Sequence, residues 1–121
     1  MMKAFPMTVL GGALLALAAC ASTPPPTSEM AVATAALAHA VTAGSAEFAP
    51  AEMALARDKL ARANLALAAG KNDSALVLAQ QVQLDAQLAE AKAESEKANR
   101  SATALKDAAR ALREEMARQP K

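Results

Sequence analysis

Apolar residues along the chain fall into one short continuous run near the start and three later segments with helical spacing. The run lies between residues 7 and 19. From residue 29 onward, apolar side chains recur every three or four positions, which is the spacing of one face of an α-helix. Glycines at positions 44 and 70 separate these segments. The pattern predicts helices at about 29–43, 50–69 and 73–118.

The first two predicted helices each have a recognisable start, a recognisable end and one apolar face. Ser28 is a candidate N-cap for the first helix, and Pro50 suits the first position of the second because no amide partner is needed there. Gly44 and Gly70 are natural stops, since glycine accepts the left-handed conformation that often follows a helix. The apolar faces consist of Met30, Ala33, Leu37, Ala40 and Val41 in the first helix and of Met53, Ala56, Leu60, Ala63 and Leu67 in the second.

The third predicted helix carries two apolar stripes, and two stripes imply two contacting partners. Asn72 or Asp73 is its candidate N-cap, and no proline follows until Pro120. The first, which we call the alanine stripe, consists of Ala75, Ala79, Val82, Ala86, Ala89 and Ala93. The second, the heptad stripe, consists of Val77, Leu84, Leu88, Ala91, Ser95, Ala98, Ala102, Leu105, Ala109, Leu112 and Met116.

These elements predict an all-α fold: a helical hairpin or three-helix bundle with a long, projecting C-terminal helix. From about Ala98 the third helix runs past the end of the hairpin, so no helix of the same chain is left to cover its heptad stripe. We therefore expect the last four stripe residues to form an interaction seam for a second copy of the chain or for a helix of another protein. This distal seam consists of Leu105, Ala109, Leu112 and Met116.

Charged residues between the stripes are spaced for pairing along one helix. Each such pair contributes about 0.2–0.5 kcal/mol, so the pattern indicates a solvated helix face and not a site. The expected pairs are Asp58 with Arg62, Glu94 with Lys97, Glu96 with Arg100, Asp107 with Arg110, and Glu114 with Arg118.

Composition limits both the core and the function. The chain has 121 residues, of which 54% are hydrophobic, but about three in ten are alanine and none is tyrosine or tryptophan. Its 13 basic and 12 acidic side chains nearly balance. A phosphate-binding surface needs an excess of lysine and arginine, so nucleic acid is not an expected partner.

The apolar run at the start has the pattern of an export signal. Met1-Met2-Lys3 supplies a short positive start, and the run is shorter than the roughly 20 apolar residues of a transmembrane helix. It ends in Leu17-Ala18-Ala19-Cys20, which resembles the lipobox of bacterial lipoproteins and contains the only cysteine. The resemblance implies cleavage between Ala19 and Cys20 and lipid on the Cys20 sulfur. The alternatives are an ordinary signal peptide cut after an Ala-x-Ala site and an uncleaved anchor helix.

The residues after Cys20 indicate which membrane holds the anchor and predict a spacer. In Gram-negative lipoproteins an aspartate after the cysteine favours inner-membrane retention, so Ala21 and Ser22 imply the periplasmic face of the outer membrane rather than the inner membrane. Three consecutive prolines predict an extended spacer that holds the folded part about 20 to 25 Å from the lipid. The predicted organisation is a signal peptide at 1–19, a lipidated, Pro-rich tether at 20–28 and an alanine-rich helical domain at 29–121.

Several short motifs between Ala31 and Ala93 are similar to those of a known family. They are Phe48-Ala49-Pro50-x-Glu52, Ala56-Arg57-x-Lys59-Leu60-x-x-Ala63, Gly70, Leu78-Ala79-Gln80-Gln81 and Asp85-Ala86-x-Leu88-Ala89-x-Ala91-x-Ala93. The chain thereby resembles short, alanine-rich envelope lipoproteins that share a domain of unknown function, sometimes found in front of an OmpA-type peptidoglycan-binding domain. The resemblance implies a role in the cell envelope.

Catalysis and metal binding are not expected from the residues present. General acid–base or nucleophilic chemistry needs a positioned base, and the one histidine, His39, lies in an alanine-rich helix. Met30, Met53 and Met116 fall on apolar stripes, where methionine is more often a core residue than a metal ligand. There is no Gly-rich phosphate loop and no Gly-x-Ser-x-Gly motif. We expect no enzyme, no cofactor and no metal.

The remaining expectation is a lipid-anchored protein with a structural or protein-interaction role in the envelope. One alternative is attachment to peptidoglycan through Lys121, because it follows the helix-breaking Pro120 and small helical murein lipoproteins are likewise joined to the wall through a C-terminal lysine. A small-ligand carrier is a weaker alternative, since close alanine packing leaves little room for a pocket of several hundred Å³.

Overall fold

Four α-helices account for most of residues 22–119, the part of the chain that the computed structural model describes. They are α1 (Thr27–Thr42), α2 (Ser45–Phe48), α3 (Pro50–Ala68) and α4 (Asn72–Arg118). The first three all pack against α4, and α3 has the most extensive contact with it. The predicted all-α class with a long C-terminal helix is confirmed.

The two glycines that were predicted as stops do end helices. Gly44 and Gly70 have φ angles of 82° and 70°, and no other residue in the described part has a positive φ. At Gly70, the amide of Lys71 donates to the carbonyl of Ala66 at 2.9 Å and the amide of Gly70 donates to Leu67 at 3.0 Å. This pair of bonds satisfies carbonyls that the end of α3 would otherwise leave without partners.

The chain between the first two predicted helices contains one further helical turn. Ser45–Phe48 forms α2, and the non-helical residue Ala49, with φ −142° and ψ 55°, separates it from α3. Pro50 then takes the first position of α3, as predicted. The start of α1 also differs: it begins at Thr27, with Pro26 at the N-cap position.

Ser28 is not the N-cap, so that prediction was wrong. Its hydroxyl donates to the carboxylate of Glu29 at 2.7 Å. This hydrogen bond is the main reason why the pKa of Glu29 is lowered. The local side chain contact has therefore replaced the expected bond to the helix backbone.

The core consists mainly of small side chains. Residues of the alanine stripe are at most 1% exposed, and the largest fully buried apolar side chains are Met53 and Val82. Alanine at a helix contact lets the two backbones approach closely, because the distance between axes depends on the side chains between them. The prediction that this stripe faces the rest of the chain is confirmed.

The buried residues form two clusters along α4. The cluster nearer its start contains Met30, Ala33, Ala63, Ala79 and Val82, with Leu60, Leu67 and Leu78 packed against it. The second contains Ala40, Ala49, Met53, Ala86 and Ala89, with Ala36 and Leu37 at its edge. Of the faces predicted for the first two helices, only Val41 is wrong, since it is 45% exposed.

The segment before α1 lies against the turn between α3 and α4. Ser22 to Pro26 contains neither helix nor strand, but Pro26 is buried. Asn72 Nδ2 donates to the carbonyl of Thr23 at 2.6 Å, and the Thr23 hydroxyl donates to Asp73. The segment predicted as an extended spacer of about 20 to 25 Å is thus docked to the body from Thr23 onward. The prediction of a spacer of that length was therefore wrong.

The last third of α4 extends past the other helices. Beyond Ala93 every described residue is exposed, except Ala109, which is half-buried. With 47 residues and a rise of 1.5 Å per residue, the helix is about 70 Å long. The predicted projection of the C-terminal helix is confirmed.

Candidate functional site

The distal seam lies on one uncovered face of the projecting part of α4. Leu105, Leu112 and Met116 are 71%, 62% and 66% exposed, and Ala109 between them is half-buried. Residues at alternating four- and three-residue spacing lie along one side of a helix, so the structure brings all four together. The result is an apolar strip with no covering element in the described part of the chain.

The uncovered strip continues toward the start of α4. Val77, Leu84 and Leu88, which precede the distal seam in the heptad stripe, are 50%, 66% and 53% exposed. The alanine stripe lies on the nearly opposite side of the same helix and packs against α1 and α3. α4 therefore packs a stripe made mainly of alanines against the other helices, with Val82 as its one larger member, and presents the large apolar residues of the heptad stripe outside.

A cluster around Phe48 marks the place where α4 leaves the bundle. The guanidinium of Arg100 lies 4.5 Å from the ring centroid, and Lys97 Nζ lies 5.4 Å from it. Arg100 also contacts Glu47 at 3.4 Å, while Lys97 donates to the carbonyl of Ala43. The two cations thus tie the C-terminal end of α1 and the helix α2 to α4.

This cluster was not predicted, because helical spacing pairs Lys97 and Arg100 with acidic residues on their own helix. The expected pairs of Lys97 with Glu94 and of Arg100 with Glu96 were wrong. Among the described residues, Asp58 and Arg62 do pair at 3.7 Å, as do Asp107 and Arg110 at 3.8 Å, whereas Glu114 and Arg118 do not.

Two ion pairs connect α3 to α4 across the edges of the buried interface. Lys59 Nζ lies 2.7 Å from Asp85 Oδ2, with both side chains less than 20% exposed. Lys92 pairs with Glu52, and the hydrogen bond from Lys92 is the main reason why the pKa of Glu52 is lowered. Because the pairs flank the alanine contact, they favour one register of the two helices.

Side chains suited to chemistry are not gathered within the described residues. His39 lies exposed in the last turn of α1. Residues 22–119 contain no group of three or more His, Cys, Asp or Glu side chains that could hold a metal ion. None of the helices in the same range combines the length and the apolar character needed to cross a bilayer.

Three of the predicted site residues lie outside the described range. They are Ala19 and Cys20, at the predicted cleavage and lipidation site, and Lys121, the predicted point of wall attachment.

Comparison with known families gives one match. The model for the family described as Domain of unknown function (DUF4398) matches residues 28–105, which is more than half of the chain. The match includes all of α2 and α3 and ends at Leu105, the first residue of the distal seam. No curated protein and no solved structure was found to match the chain.

Proposed function

This chain belongs to the DUF4398 family of domains of unknown function, and we propose that it is a lipid-anchored periplasmic protein with a structural or interaction role in the cell envelope. It performs no catalysis in this proposal. The anchor is lipid on Cys20, inserted in the periplasmic face of the outer membrane. The interaction surface, which contacts a partner, is the distal seam.

The proposal for the anchor is supported by the start of the sequence. An apolar run too short to span a bilayer comfortably ends at Leu17-Ala18-Ala19-Cys20, with the only cysteine at the end. A lone cysteine cannot form a disulfide within the chain, which agrees with its use for lipid. More than one acyl chain would be needed there, because a single chain gives only marginal membrane binding.

The proposal for the interaction surface is carried by one observation: the buried stripe of α4 consists almost entirely of alanines, whereas the leucines of its heptad stripe are exposed. The stripe packed against α1 and α3 contains five alanines and Val82, all at most 1% exposed, whereas Leu105 and Leu112 are 71% and 62% exposed. Each large apolar side chain gains about 1.5–3 kcal/mol when it is removed from water. A partner that covers this strip would supply that gain.

The test is a pair of matched double variants in cells that produce the full-length protein. In the first, Leu105→Glu with Leu112→Glu places two charges in the distal seam. In the control, Ala104→Glu with Ala111→Glu places two charges on exposed positions of the same segment that lie away from the seam. We expect the first variant to lose at least about tenfold of its crosslinking to neighbouring chains, a loss of about 1.4 kcal/mol, and the control to keep it. Equal crosslinking of both variants would contradict the proposal.

The alternative is attachment to the peptidoglycan wall through Lys121, and it predicts a different experimental result. Deletion of Lys121 alone would then abolish recovery of the protein with purified peptidoglycan sacculi, while the two glutamates in the distal seam would leave that recovery unchanged.

A further inference from the structure

We infer that the distal seam pairs with the same seam of a second copy, with the two α4 helices parallel and in register. The inference rests on the proposed function, because it takes the anchor on Cys20 as given. It adds the identity and the direction of the partner. Two separate features of the chain point to it: the position of the docked segment before α1 and the charges along the two edges of the heptad stripe.

The docked segment fixes the end of α4 that lies near the anchor. Thr23 is held by Asn72 and Asp73 at the first turn of α4, and only two residues separate Thr23 from Cys20. Three residue steps span at most about 11 Å. The start of α4 is therefore close to the lipid, and the distal seam lies toward the far end of a helix about 70 Å long. Copies anchored in one membrane all present α4 with the same end toward the lipid.

The heptad stripe is bordered by two different edges. The residues that follow Leu105 and Leu112 are Lys106 and Arg113, so one edge of the distal seam is basic. The other edge consists of the residues that come directly before the stripe residues Ala102, Ala109 and Met116 in the sequence. They are Ser101, Ala108 and Glu115, so this edge is neutral to acidic, and the residues of both edges are exposed.

The relative direction of the two α4 helices determines which edges of the two stripes face each other. In an antiparallel pair of helices, like edges face each other, and the basic edge of one copy would face the basic edge of the other. In a parallel pair, each edge faces the unlike edge of the other copy, with contacts between residues about five positions apart. Ser101 then faces Lys106 of the second copy, and Ala108 faces Arg113. Repulsion between the two basic edges therefore disfavours the antiparallel arrangement, whereas the parallel arrangement brings no like charges together.

The first experiment uses single cysteines in the full-length, membrane-bound chain. Ala102→Cys and Ala109→Cys each place a thiol in the heptad stripe, one heptad apart. Asp107→Cys places one on the opposite side of α4 as a control. After oxidation with copper phenanthroline, we expect disulfide-linked dimers from both stripe variants and none from Asp107→Cys. An antiparallel pair allows such self-linkage near a single point only, so dimers from just one of the two stripe positions would overturn the parallel arrangement.

The parent chain, whose only cysteine is Cys20, is the second control. A lipidated Cys20 has no free thiol, so the parent should give no dimer. Dimers from the parent would show that Cys20 is not lipidated, which would contradict the proposed anchor and not only this inference.

The second experiment tests direction through charge. Ser101→Glu with Ala108→Glu, added to Ala109→Cys, places acids opposite Lys106 and Arg113 of a parallel second copy. We expect the disulfide yield at low oxidant to rise about threefold or more. In an antiparallel pair the same glutamates would face each other, and the yield would fall. A fall would overturn the inference.

The outcomes separate the inference from the proposed function. Crosslinking of the distal seam to a different protein, with no dimer of this chain, would overturn pairing of two copies but leave the interaction role intact. No crosslink of any kind from the stripe positions, together with normal membrane anchoring, would contradict both.

Discussion

Met53 gives the most demanding test of the packing between α3 and α4. Its side chain is fully buried in a cluster whose other buried members are all alanines: Ala40, Ala49, Ala86 and Ala89. In Met53→Ala, the surrounding methyl groups are too short to extend into the space that the methionine leaves. Leu37, at the edge of the cluster, is the one larger apolar side chain nearby, so the cavity can close only through a shift of Leu37 or movement of the helix backbones.

The expected loss in free energy of unfolding follows from these small neighbouring side chains. Replacement of a buried methionine by alanine costs about 2–5 kcal/mol, and the cost is larger where the site cannot collapse. We expect about 3–5 kcal/mol here, which is a large part of the total free energy of unfolding of a small domain. At about 4–8 °C per kcal/mol, the melting temperature should fall by roughly 12 °C or more.

The measurement is thermal and urea denaturation of the purified protein, followed by the helical circular dichroism signal. Leu55→Ala is the matched control, because Leu55 lies two residues further along α3 and is 47% exposed. We expect it to cost under about 1 kcal/mol. If Met53→Ala cost no more than Leu55→Ala, the described core would be wrong.

Three further predictions concern the anchor, the long helix and one ion pair. Cys20→Ser should leave the protein unprocessed or soluble in the periplasm, and its normal retention in membranes after a carbonate wash would contradict the lipid anchor. Val82→Pro should remove much of the helical signal, because it breaks α4 at a fully buried residue, whereas Thr103→Pro, in the projecting part, should leave the bundle folded; equal losses would count against the fold. The pKa of Glu52 is lowered mainly by the hydrogen bond from Lys92, so its stabilising effect is present above the unfolded pKa of about 4.3 and disappears as the pH falls through the lower folded value. The difference in melting temperature between wild type and Glu52→Gln should therefore be present at pH 7 and vanish in acid, and a difference independent of pH would refute this assignment.

Most of the fold could be predicted from the sequence because its determinants are local. Gly44 and Gly70 end helices through their own backbone conformation, and Pro50 starts one through its missing amide hydrogen. The alanine stripe was identified by spacing alone, since a helix converts sequence intervals directly into a face. The uncovered heptad stripe followed from the same spacing, together with the short length of the other helices.

The features that sequence missed depend on residues distant in the chain. Thr23 meets Asn72 and Asp73 only because α1 and α4 pack side by side, and a proline run considered alone favours an extended spacer. Lys97 and Arg100 had acceptable partners on their own helix, so local spacing gave the wrong pairs. Their contacts with the Phe48 cluster require α2, a helix of only 4 residues, which is too short to show a periodic pattern.

The central claim is that the distal seam is covered when the protein is anchored, and amide hydrogen exchange measures this most directly. The lipidated protein in membrane vesicles is compared with the dilute, soluble Cys20→Ser protein, residue range by residue range. A projecting helix with no partner opens easily, so in the soluble protein the amides of residues 101–116 should exchange much faster than those of residues 75–93. We predict that anchoring slows exchange in residues 101–116 by about tenfold or more, equivalent to about 1.4 kcal/mol, and leaves residues 75–93 unchanged. Identical exchange of residues 101–116 in the anchored and the soluble protein would contradict the account.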